Sequence, residues 1–186
     1  GVGAAVVYAG GFAEAGDEGT TLQDELVAAA TAGDVAVLGP NTSGFFLPHR
    51  PLYTSFVSNA DVVGPGNVAV VAQSGGIAHS LAFQGVNEGW GFSGVVGLGN
   101  RAVVGFEPVV AYFDADPHTD AIVLHVEGTE DARGLFEACA AAETPVAAFP
   151  VGERDVADFA ASHTAALTGE YALYRAGFEQ YGAPVC

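Results

Sequence analysis

A chain of 186 residues, half of them hydrophobic, is long enough to enclose a sizeable core and too apolar to remain disordered. Its five basic residues, all arginine, stand against 22 acidic ones, and the resulting formal charge of −17 excludes nucleic acid and anionic lipid as general partners. No apolar run approaches the roughly 18 residues of a membrane span, and no basic segment with a cleavage site opens the chain.

Self-repulsion of this size is screened at about 1 M salt, where the Debye length falls to roughly 3 Å. Together with the absence of lysine, it points to a cytoplasmic protein of a high-salt organism. Cys139 and Cys186 have neither metal nor redox spacing, which fits a reducing compartment and leaves no metal site to expect. Methionine is absent even at position one, so the chain is expected to be a piece of a longer protein.

Hydrophobic patterning predicts a buried strand over 4–8, a helix over 22–32 with Leu22, Leu26 and Ala29 or Ala30 on one face, and a strand over 35–38. This is the closing βαβ of an α/β unit. A stretch holding Pro48, Pro51, Asn59, Gly64, Pro65 and Gly66 then marks a domain boundary, with 1–63 before it and 64–186 after it. Beyond it the alternation restarts. Strands are predicted near 68–72, 94–98, 121–126 and 146–149, and helices near 77–87, 107–113, 132–142 and 170–181. Strands rich in Val and Ile, apolar on both faces and joined by helices, call for a parallel sheet covered on both sides. The expected fold class is α/β: a doubly wound, flavodoxin-like domain with ligands at the ends of its strands.

Gln73-Ser74-Gly75-Gly76 joins the 68–72 strand to the next helix. A glycine-containing turn there aims free backbone N–H groups at an anion, and Ser74 supplies a donor or a helix cap. An ordinary α/β turn prefers the same residues, so the turn alone decides nothing. A nucleophilic serine is disfavoured because the Gly-x-Ser-x-Gly elbow fails at Ala72. Glu127 ends the 121–126 strand, where it could hold one nitrogen of an imidazole or cap the helix that begins near Glu130. Of the histidines, His49, His79, His118 and His125 read as structural. His163 differs because it lies in a loop of small residues open to substrate.

Five motifs in order then carry a resemblance: GPNTSG at 39–44, PGNVAVVAQSGG at 65–76, GLGNRA at 97–102, VEG at 126–128 and ASHTAALTG at 161–169. Together they resemble the NDP-forming acyl-CoA synthetases, which include ADP-forming acetate–CoA ligase and the succinyl-CoA synthetase alpha subunit. The resemblance implies that acyl-CoA and phosphate give an acyl phosphate and free CoA, and that a histidine then passes the phosphoryl group to ADP. By motif position His163 matches the phosphorylated histidine and Glu127 the carboxylate that orients it. Ser74, Gly75 and Gly76 match the phosphate cradle, and Asn41 and Asn100 the loops bordering it.

The resemblance further implies that 1–63 is the last part of a Rossmann-like CoA-binding domain. ATP or ADP with Mg2+ would be bound by an ATP-grasp domain or subunit absent from this chain, within an oligomer, and the chain alone would be inactive. Ala165, Val103 and the stretch Phe149-Pro150-Val151 depart from the family pattern. The alternative is a non-catalytic acyl-CoA-binding module, such as one fused to a protein acetyltransferase.

Overall fold

The computed structural model describes residues 1–129, 131–151 and 171–186. Its N-terminal part forms the expected βαβ: β1 (Ala4–Val6), α1 (Asp17–Gly33) and β2 (Ala36–Leu38), with β1 and β2 parallel and Val6 opposite Leu38. Helix α1 starts at Asp17, ahead of the predicted residue 22, because its first turn is built from polar groups that leave no apolar period. Asp17 and Glu18 face the positive end of the helix dipole, and the Thr20 and Thr21 hydroxyls donate to the carbonyls of Gly16 and Asp17 at 3.1 Å. The helix stops where Asp34 turns left-handed at φ 52°.

Among the described residues the second part is a six-stranded sheet. In chain order its strands are β3 (Gly44–Leu47), β4 (Leu52–Ser55), β5 (Pro65–Ala72), β6 (Phe92–Gly97), β7 (Ala121–Val126) and β8 (Val146–Pro150). They lie in the order β4-β3-β6-β5-β7-β8. Strands β5 to β8 are parallel, as expected. The stretch read from the sequence as a connecting loop is partly wrong: β3 and β4 form an antiparallel hairpin, and β3 pairs antiparallel with β6, Phe45 opposite Val96. The sheet is therefore mixed, with its hairpin on one edge.

Among the described residues four helices cover the sheet: α2 (Gly75–Glu88), α3 (Phe106–Asp114), α4 (Ala132–Ala141) and α5 (Tyr171–Gln180). Alternation along β5 divides the core between two layers. Val70 and Ala72 pack with Ala78 and Ala82 of α2 and with Phe46 and Val63. Ala69 and Val71 face the other layer, where Val110 and Phe113 of α3, Leu135 of α4 and Phe178 of α5 meet. Phe113 and Phe178 are fully buried, and each such ring stabilises the fold by about 2–3 kcal/mol. Cys139 lies in the same layer, where burial first and the Glu107 charge second push its thiol pKa up to about 12, so it is inert packing.

Candidate functional site

The chain passes from β5 through α2 to β6 on one side, then crosses back to β7 on the other, so the strand order reverses between β5 and β7. In an open α/β sheet a crevice opens outside the strand ends at such a reversal, and ligands bind there. A cavity of about 640 Å³ occupies this position. Ser74, Gly75, Gly76, Asn41, Asn100 and Glu127, each singled out from sequence, all line it. His163 lies outside the described residues, as do Ala165 and the rest of the 161–169 motif.

Ser74 is the N-cap of α2, its Oγ accepting from the Ile77 N–H at 3.4 Å. The first N–H groups of the helix, those of Gly75 and Gly76, have no acceptor within it and carry its partial positive charge. Position 75 needs glycine for space, since a Cβ there would stand 2.7 Å from the Ser43 Oγ and 2.8 Å from its Cβ. Glu127, half-buried, follows β7 directly. The helix-cap alternative for Glu127 does not hold, because Asp131 caps α4 by accepting from the Gly134 N–H at 2.8 Å.

Asn41 and Asn100, distant in sequence, meet through a side-chain hydrogen bond of 3.4 Å. Asn100 also donates to the Glu14 carboxylate and to Gln23 Oε1 at 2.9 Å, tying the N-terminal part to the loop after β6. That loop comes close: Gly99, at φ 62°, leaves no room for a side chain, whose Cβ would sit 2.2 Å from the Pro40 carbonyl oxygen. Partial burial of Glu14 raises its pKa, but the bonds from Asn100 and from the backbone N–H groups of Gly11 and Phe12 outweigh this and hold the carboxyl below its ordinary value.

Several lining residues were not singled out in the sequence. His79 of α2 stacks on Phe46 with centroids 5.6 Å apart, and burial lowers its pKa, so it stands neutral in the cavity wall. Tyr8 and Phe56 make an edge-to-face pair at 5.8 Å in the same wall. Arg101 reaches over the Phe106 ring and donates from Nη2 to the Gly128 carbonyl at 2.8 Å. Gln73 is buried beside Glu127. The signal for Arg101 and Gln73 was their place inside the GLGNRA and AQSGG motifs at strand ends. Tyr8 and Phe56 had no local signal, since they reach the cavity only through the packing of the two parts.

The other histidines behave as structural groups. Burial lowers the pKa of His125 to about 4, and its ring packs at 5.7 Å from Phe149. His49 and His118 stack on each other at 4.0 Å, with His49 Nε2 bonded to the Gly66 carbonyl at 2.7 Å.

A doubly wound sheet whose reversal point joins a glycine-started helix to a strand-end carboxylate is a ligand-binding domain of the flavodoxin type. Residues 65–186 match the family described as succinyl-CoA ligase like flavodoxin domain, and the chain belongs to that family. The alpha subunit of acetate–CoA ligase (ADP-forming) II from Pyrococcus furiosus is 33% identical over 188 residues, covering 100% of this chain and 40% of its own length. Acetate–CoA ligase (ADP-forming) I of Archaeoglobus fulgidus is 37% identical over 181 residues, 96% of this chain and 26% of its own. The solved structure of the dinucleotide forming acetyl-coenzyme A synthetase 1 of Ca. Korarchaeum cryptofilum, in complex with phosphate and ADP, matches with a TM-score of 0.89 and 33% identity over 98% of this chain and 40% of that one. The chain thus spans less than half the length of these relatives.

Proposed function

We propose that this chain is the part of an ADP-forming acid–CoA ligase in which the acyl phosphate is made and its phosphoryl group transferred. The observation that carries the proposal is the meeting of the α2 N-terminus and Glu127 in one cavity at the sheet's reversal point. Membership of the ligase family and the similarity to ADP-forming acetate–CoA ligases support it. The division, expected near residue 63, would instead fall between β2 and β3, because β3 and β4 belong to the second sheet, and would separate the last part of a CoA-binding domain from the phosphoryl-transfer domain.

In this reaction a phosphate oxygen attacks the thioester carbonyl, the C–S bond breaks, and the thiolate leaves and takes a proton as free CoA. A His163 ring nitrogen then attacks phosphorus, breaking the bond to the acyl oxygen and releasing the carboxylate. Finally, the terminal oxygen of ADP takes the phosphoryl group and the P–N bond breaks, giving ATP. Transfer of this kind needs positioning and charge stabilisation more than covalent help. Gly75 and Gly76 would cradle the phosphoryl oxygens with their N–H groups, Ser74 would fix the helix start, and Asn41 and Asn100 would border the site. Glu127 would hold the far imidazole nitrogen of His163, leaving the near one nucleophilic. Nucleotide and Mg2+ would be held by an ATP-grasp domain or subunit outside this chain, within a cytoplasmic oligomer.

The test is phosphorylation of the intact enzyme, in high salt, with labelled ATP and magnesium, followed by peptide mapping. Acid-labile label on the peptide containing His163, lost in His163→Asn, is the expected result. Label elsewhere overturns the proposal, as does CoA binding without any label, which would mark a non-catalytic acyl-CoA-binding module.

A further inference from the structure

Glu127 can orient an imidazole only if the turn that carries it is itself held, and the holding group is Gln73. This residue follows β5 directly, its N–H donating to the His125 carbonyl at 3.1 Å and so extending the β5–β7 pairing by one residue. Its side chain crosses to the neighbouring strand end, where Oε1 accepts from the N–H groups of Glu127 at 3.0 Å and Gly128 at 3.3 Å. Two backbone donors can be met only by the amide oxygen, which fixes the orientation of the amide. Nε2 is thereby turned away from the 127–128 peptide, and among the described residues no acceptor meets it. Gln73 is 8% exposed and lines the cavity beside Gly75 and Gly76. Nε2 is not shut away from the cavity, so a ligand or water held there can accept from it.

We infer that Gln73 is a positioning residue for Glu127, and that its Nε2 donates a hydrogen bond to the phosphate or acyl-phosphate oxyanion held at the start of α2; the second half rests on the function proposed above. The Gly128 carbonyl is gripped from its other side by Arg101, so the turn is held between two strand ends. The two halves of the amide thus do separate work. The oxygen fixes the acid, and the nitrogen recognises the anion.

Glutamate at position 73 separates them, because a carboxylate can accept both N–H bonds but offers no donor. In the intact ligase, Gln73→Glu should protect the 127 and 128 amides from hydrogen exchange as well as the wild type does, yet raise KM for inorganic phosphate about tenfold or more. The added carboxylate should also move the acid limb of the kcat/KM profile to higher pH by making Glu127 harder to ionise. Gln73→Ala should speed exchange at 127 and 128 and lower kcat by about 10–100-fold. Both variants remaining within about twofold of the wild type would overturn the inference. Equal losses in both, with equal falls in Tm and no change in KM for phosphate, would show a purely structural residue and overturn it too. His163→Asn serves as the separate arm: if that variant turns over normally the phosphohistidine reading fails, while the exchange data still decide whether Gln73 holds the acid.

Discussion

Ser74 has two tasks that substitution can pull apart. Its hydroxyl oxygen caps α2, and it stands where the proposed anion would bind. Ser74→Ala should cost about 1 kcal/mol in chemical denaturation through loss of the cap. Ser74→Asp keeps a capping oxygen and should retain most of the stability, but its charge would repel phosphate and abolish phosphoenzyme formation; full labelling of Ser74→Asp would show that the anion does not bind there. His125 gives a different readout. Its folded pKa of about 4 lies below the ordinary 6.5 because it is buried, so the unfolded chain takes up a proton first as the pH falls. Stability is therefore complete above about pH 6.5 and declines between there and pH 4, by roughly 3 kcal/mol in all. Denaturation midpoints of the wild type and His125→Phe across this range measure it, and parallel pH profiles would rule it out. The small-residue turn and the strand-end acid were visible in the linear chain because such residues are rare among apolar runs. Gln73 was passed over because its motif marks only a strand end, and the use of its amide is set by the strand that packs beside it.

The parallel strands and their helices follow the local pattern closely. Strand β7 occupies the predicted residues 121–126, and α3 and α4 agree with expectation to within a residue at each end. Alternation along β5 marks both its faces as buried, which only a two-layer cover satisfies. The β3–β4 hairpin escaped because prolines 48 and 51 read as a loop signal, although here they flank a tight turn with Arg50 N–H donating to the Leu47 carbonyl at 2.9 Å. The signal was present in the aromatic residues Phe45, Phe46 and Tyr53 on either side of that turn. The hairpin matters to the site because Phe46, 1% exposed, supports His79 and packs against the α2 layer. Phe46→Ala should cost about 3–5 kcal/mol in urea denaturation. A loss below about 1 kcal/mol would mean that the hairpin is not integral to the core.

A net charge of −17 acts on the molecule as one body. Raising KCl from 0.1 to 1 M shortens the Debye length from about 10 to about 3 Å and should raise Tm steadily, as repulsion between acidic groups is screened. A Tm that is flat or falls over this range would separate the acidic composition from salt adaptation. Charge, composition and apolar period are sums or repeats along the chain, so they could be read without coordinates, and with them came the α/β class, the strand and helix alternation and the glycine-started helix. Which groups share the cavity could not be read that way. Asn100 meets Glu14 across 86 residues and Gln73 meets Glu127 across 54. Those meetings exist because β7 returns to the far side of β5 while the hairpin takes the outer edge of β6. Strand order is settled by how layers and crossovers pack against one another, and no local period encodes it.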